Sequence, residues 1–95
     1  PIPVVARVLP AKQRIRLRVR IDDRPGKMHE LSGIIADQEA NIHDVRHDRS
    51  VEDLEVGEAY LVFTVETSGA EHAASIVDAI EAADYTVEDV TRASE

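Results

Sequence analysis

The chain has 95 residues and a formal net charge of −8, with 19 Asp and Glu against 11 Lys and Arg, and it has no cysteine. That length suffices for one domain around one core, and the missing cysteines exclude disulfides, thiolate metal sites and thiol nucleophiles. The acidic balance repels nucleic acid and acidic membranes, and the longest apolar stretch, Ala59 to Phe63, is far short of the roughly 20 residues that span a bilayer. A soluble, cytoplasmic protein is expected, with no nucleic-acid or membrane partner.

Charge is unevenly placed. Residues 1–21 carry six Lys or Arg and no acid, whereas residues 22–95 carry nineteen acids against five bases. Two Lys against nine Arg resembles proteins of salt-adapted cytoplasms, the alternative being an ordinary solvated surface.

Residues 1–12 hold Pro1, Pro3 and Pro10 and read as an extended N-terminal arm or linker, with the domain running from 13 to 95. A strand over 13–21 alternates Ile15, Leu17, Val19 and Ile21 with Arg14, Arg16, Arg18 and Arg20, one apolar face and one cationic. A sharp turn, Asp22-Asp23-Arg24-Pro25-Gly26, leads into a helix over 25–39. Pro25 is expected in its first turn, and Met28, Leu31, Ile34, Ile35 and Gln38 form its stripe. Gly26 leaves backbone bare where the first helical amides are unpaired, so a small anion can approach there.

A second strand begins near Ile42. Because Ile42 and Val45 are three apart, a bulge or frayed edge is expected between them. The strand over 58–67 restores strict alternation, with Ala59, Leu61, Phe63 and Val65 facing the core. Its other face, with Tyr60 and Val62, is half apolar, which points to a cover from self-association. Ser68-Gly69-Ala70-Glu71 has the form of a capping box opening a second helix, whose stripe is Ala73, Ile76, Val77, Ile80 and Ala83. Tyr85 to Val90 reads as a final strand.

The order strand, helix, strand, strand, helix, strand predicts an α+β, ferredoxin-like βαββαβ sandwich. Its four-stranded antiparallel sheet takes the order 4-1-3-2, with both helices on one face. The arginine stripe then stands beside Glu58, Glu66 and Glu88 as a cross-strand charge ladder.

The fold hosts many functions, so the residues must decide. Tyr60, Phe63 and Tyr85 are the aromatics, too few for base stacking on the sheet. His43 and His47, read on one face of a strand, lie about 13 Å apart and cannot share a metal. No Ser-His-acid order, phosphate loop or spaced acid pair stands out, so neither a metal, a cofactor nor catalysis is expected.

The turn together with Asn41-Ile42 resembles a known family. Asp23-Arg24-Pro25-Gly26-Lys27-Met28, then Leu31, Ile35 and Ala40-Asn41-Ile42, is similar to the ACT domain, the regulatory module of amino-acid metabolic enzymes. The run Asn41 to Arg49, with Val56-Gly57-Glu58-Ala59, is similar to the ACT domain at the C-terminus of threonine ammonia-lyases.

The resemblance implies a free amino acid, isoleucine or valine first, bound between two subunits of a homodimer or higher homo-oligomer. The ligand would lie against the turn of Asp23, Arg24, Pro25, Gly26, Lys27 and Met28, with Asn41 contributing from the neighbour and Leu31 and Ile42 as apolar neighbours. Its carboxylate suits the amides near Gly26 and its ammonium suits Asp23; the structural alternative is that Asp23 caps the helix. Such a domain would control a linked or partner enzyme, as a regulatory fragment or a stand-alone relative. A dimerisation module without ligand is the alternative. Glu39 and Asp84 stand where the family often has Gly, which predicts strained turns at both helix ends.

Overall fold

A computed structural model describes residues 13–49 and 53–91. The expected arm at 1–12 lies outside them. The elements are β1 (Gln13–Asp22), α1 (Lys27–Asp37), β2 (Asn41–Asp48), β3 (Glu58–Thr67), α2 (Ala70–Ala82) and β4 (Thr86–Asp89). One antiparallel sheet has the order β2-β3-β1-β4, the predicted ferredoxin-like order read from the other edge.

The alternation in β1 and β3 builds the core. Leu17, Val19, Leu61, Phe63 and Val65 have no exposed surface, and Leu31, Ile35, Ile76 and Ile80 of the two helices close over them. Both helices therefore cover the same face of the sheet. A buried Leu, Ile or Phe stabilises by about 1.5–3 kcal/mol relative to an exposed one, so this one layer supplies most of the driving force for folding.

The other sheet face differs from expectation. Tyr60 and Val62 are already buried, at 7% and 8% exposure. The Arg18 guanidinium stacks over the Tyr60 ring at 4.5 Å, so the chain's own arginine stems do the covering. The charge ladder forms at two rungs, Arg18 to Glu88 at 2.6 Å and Arg20 to Glu58 at 2.7 Å. Arg14 pairs in register with Glu66, but the Glu66 carboxylate instead lies 3.6 Å from His43.

The irregularity in β2 is a bulge. Ile42 stands opposite Val65 and Asp44 opposite Thr64, leaving His43 as the extra residue. Ile42 and Val45 thereby both reach the helix face, as half-buried neighbours of the core. The bulge also separates the two histidines expected on one face. His43 meets Glu66 on the face away from the helices, whereas His47 stands opposite Leu61 on the helix face.

Both helix starts correct the sequence reading. α1 begins at Lys27, not Pro25, because Gly26 takes φ +95°, a left-handed conformation that breaks the helix behind it. Met28 falls outside the buried stripe, at 37% exposure. The capping box does not form: α2 has Gly69 as N-cap with no side-chain cap bond. Ser68 instead turns its N–H to His72 Nδ1 at 3.0 Å. His72 Nε2 then donates to the Gln38 carbonyl at 2.6 Å, which ties the end of α1 to the start of α2. At the C-termini, Glu39 and Asp84 adopt φ +62° and +71°, the strained turns predicted there.

Candidate functional site

The turn after β1 is held by backbone. The Asp23 N–H donates to the Gly57 carbonyl at 2.8 Å and the Arg24 N–H to the Asp22 carbonyl at 2.8 Å. Pro25 has no N–H to contribute, and the Lys27 N–H makes only a long 3.4 Å bond to Arg24. The first intrahelical bond runs from Glu30 N–H to the Gly26 carbonyl at 2.9 Å, and no side chain caps the helix. The amides of Met28 and His29 therefore have no helical acceptor, and partial positive charge gathers at this helix start. The surface there is an open hollow lined by Arg24, Pro25, Gly26, Lys27, His29 and Glu30.

Asp23 does not cap α1. Its Oδ2 receives both Nε and Nη2 of Arg49 at 2.6 Å, and its Oδ1 lies 3.8 Å from His47 Nε2. On the far side of the turn, Lys27 Nζ sits 5.6 Å above the Tyr85 ring and 3.8 Å from Glu30. The Tyr85 hydroxyl donates to that same Glu30 carboxylate. Burial, and then this bond to Glu30, push the Tyr85 phenol up to about 12. Across the sheet end, the hydrogen bond from Arg20 and then the Glu55 amide hold the Glu58 carboxyl below the usual carboxylate range.

Asn41 lies elsewhere. It opens β2 opposite Glu66, whereas Asp22, just before the turn, stands opposite Glu58. Those positions are eight residues apart on β3, about 26 Å at 3.3 Å per residue. Asn41 instead lines an open polar groove of about 750 Å³ with Glu39, Glu66, Ser68, Glu71 and His72. Of the apolar neighbours named for the ligand, Leu31 is fully buried and Ile42 packs half-buried against the core. One copy of the chain thus gathers Asp23, Arg24, Pro25, Gly26, Lys27 and Met28, and does not bring Asn41 to them.

Arg49, Glu30 and His72 were not assigned roles by the sequence reading. Strand order brings the end of β2 level with the end of β1, but the contact of Arg49 depends on a register that the bulge at His43 shifts. The Tyr85 contact to Glu30 spans 55 positions and left no local signal. Among the described residues, no group of three His, Asp or Glu converges as metal ligands, and no helix is long and apolar enough to cross a membrane.

Comparison with known proteins agrees with this fold. Residues 15–84 match the family model for the ACT domain. Over 86 residues the chain is 35% identical to an L-threonine ammonia-lyase of Geobacter sulfurreducens, covering 90% of this chain and 21% of that protein. It is 32% identical over 75 residues to an L-threonine ammonia-lyase of Thermotoga maritima, covering 79% and 19%. The chain thus spans about a fifth of the length of these curated relatives. Among solved structures, the ACT domain from a GTP pyrophosphokinase of Chlorobium tepidum superposes with a TM-score of 0.64 at 15% identity, over 83% of this chain and 99% of that one. Together with the order β2-β3-β1-β4, these matches establish that the chain belongs to the ACT domain family.

Proposed function

We propose that this domain binds a free amino acid between two copies of itself and thereby regulates an enzyme of amino-acid metabolism, one like threonine ammonia-lyase, in the cytoplasm. The observation that carries the reading is the turn: the amides of Met28 and His29 have no helical acceptor, and the carboxylate of Asp23 stands in the same turn, so the two offer partners for both charges of a zwitterion. The chain's own part is binding, and catalysis belongs to the linked or partner enzyme.

The placement of Asn41 supports a shared site. Two copies related by a twofold axis, with their β2 edges running antiparallel, bring each turn toward the other's Asn41 and create two equivalent sites. Arg24, Pro25, Gly26, Lys27 and Met28 then form the wall on one copy, with isoleucine or valine as the first ligands.

A thermal-shift screen of the twenty amino acids tests the reading. A ligand at 100 times its Kd raises stability by about 2.7 kcal/mol. Asn41→Ala is expected to weaken binding by about 0.5–1.5 kcal/mol. Asp23→Asn is expected to lower affinity while changing stability by less than about 1 kcal/mol, since it removes only an exposed ion pair. If no amino acid shifts the melt, the domain is the ligand-free dimerisation module, a reading favoured by one observation, that Arg49 already neutralises Asp23.

A further inference from the structure

We propose that Arg49 is a built-in competitor for the ligand's amino group, holding Asp23 in the free domain until the ammonium of a ligand displaces it. The inference rests on the function proposed above and concerns how the same site is regulated.

The carboxylate that would read an ammonium is not empty in the free chain. Both Nε and Nη2 of Arg49 sit 2.6 Å from Asp23 Oδ2, and His47 approaches the other oxygen at 3.8 Å. The nearer cation in sequence, Arg24, turns instead to Asp22 at 3.3 Å. The two partners differ in freedom. Asp23 is anchored through its N–H to Gly57 and its side chain is 27% exposed, whereas that of Arg49 is 58% exposed on a long flexible stem just past the end of β2.

When a second cation arrives, the guanidinium is therefore the group that moves. An ammonium exchanging for it conserves the charge at Asp23, so the exchange costs only the exposed pair, which is weak. A 2-oxo acid or an N-acylated amino acid has no cation to offer. It leaves Arg49 in place and gains nothing from Asp23. The displaced guanidinium also marks occupancy at the end of β2, away from the ligand itself.

Calorimetry on the wild type and on Arg49→Gln, with the best amino acid from the screen and its N-acetyl derivative, tests this. The glutamine variant is expected to bind the amino acid up to about fivefold more tightly and to leave the N-acetyl compound unchanged. In the wild type, the Arg49 Nε–H resonance is expected to shift as the amino acid saturates the site, and not with the N-acetyl compound. If the wild type binds but Arg49→Gln binds equally or more weakly, or the Nε–H resonance does not respond, the competitor role is wrong while the binding function stands. If neither protein binds any amino acid, the binding function fails and takes the competitor role with it.

Discussion

Tyr85 is a single side chain on which pH can act. Its phenol, pushed up to about 12 by burial and by Glu30, holds its proton more tightly in the folded state than in the unfolded one, where the value is near 10. A raised acid pKa contributes stability that is fully present below about pH 10 and is lost as pH climbs toward about 12. Urea melts across that window are expected to show wild-type stability falling steeply, with a shallower fall in Tyr85→Phe. Equal slopes would show that the phenol is not coupled to folding. Tyr60 is also raised, by burial and then by Asp53, and contributes to the slope that remains. At this scale the sequence was half legible. Asp23 and Gly26 could be named because the turn is local. The partner of Asp23 could not, since Arg49 reaches it only through the register of β2 on β3, which the bulge at His43 shifts by one.

Elements were read best where period alone decides them. β1 and β3 alternate without a fault, and β3 spans the predicted 58–67. Helix starts were read worst, because cap patterns compete with glycine. The Pro25 ring favours a helical φ, but Gly26 behind it turns left-handed. Ser68 and Glu71 have capping-box spacing, but Gly69 at φ +148° and the ring of His72 draw Ser68 elsewhere. The bulge gives an expectation peculiar to β2. Deleting one residue inside a strand normally flips every later side chain to the wrong face. Deleting His43, however, leaves Ile42 opposite Val65 and Asp44 opposite Thr64 in an unbroken ladder. The His43 deletion is expected to fold with a stability change under about 1 kcal/mol, since it removes only a half-exposed contact to Glu66. Deleting Thr64 from the central β3 is expected to abolish folding, and circular dichroism with urea titration compares the two. A His43 deletion that unfolds would mean that the extra residue is structural.

For the whole molecule, charge is the largest influence on stability after the core. The surplus of eight acids repels at low ionic strength, while the ion pairs at Arg18, Arg20 and Arg49 attract. Each such exposed pair is worth at most about 1 kcal/mol, so the surplus is expected to win. Melting temperature should rise between 0.01 M and 1 M salt, as the Debye length falls from about 30 Å to about 3 Å. A fall would show that the pairs dominate and would remove the salt-adapted reading. Self-association now rests on different ground from the sequence argument. Tyr60 and Val62 need no cover from a partner, so the case rests on the β2 edge and on the shared site proposed above, and sedimentation at micromolar concentration tests it. The fold was legible at this scale because handedness and connectivity leave essentially one topology.

The strained turns at Glu39 and Asp84 imply that the domain holds engineering headroom. At φ +62° and +71° each forces a Cβ-bearing residue into a conformation glycine takes freely. Each also sets a carboxylate at the negative end of a helix dipole. Glu39→Gly and Asp84→Gly are each expected to gain about 1 kcal/mol. The residues sit at opposite ends of the sheet, Glu39 in the groove with Asn41 and Asp84 in the hollow with Asp22, so the gains should add. Together they should raise Tm by on the order of 10 °C, and scanning calorimetry of both single variants and the double reads it directly. A double variant no more stable than the wild type would mean that these acids are held by contacts worth as much as the strain they cause. A more stable double variant would be a tougher scaffold, with the turn from Asp23 to Met28 unchanged.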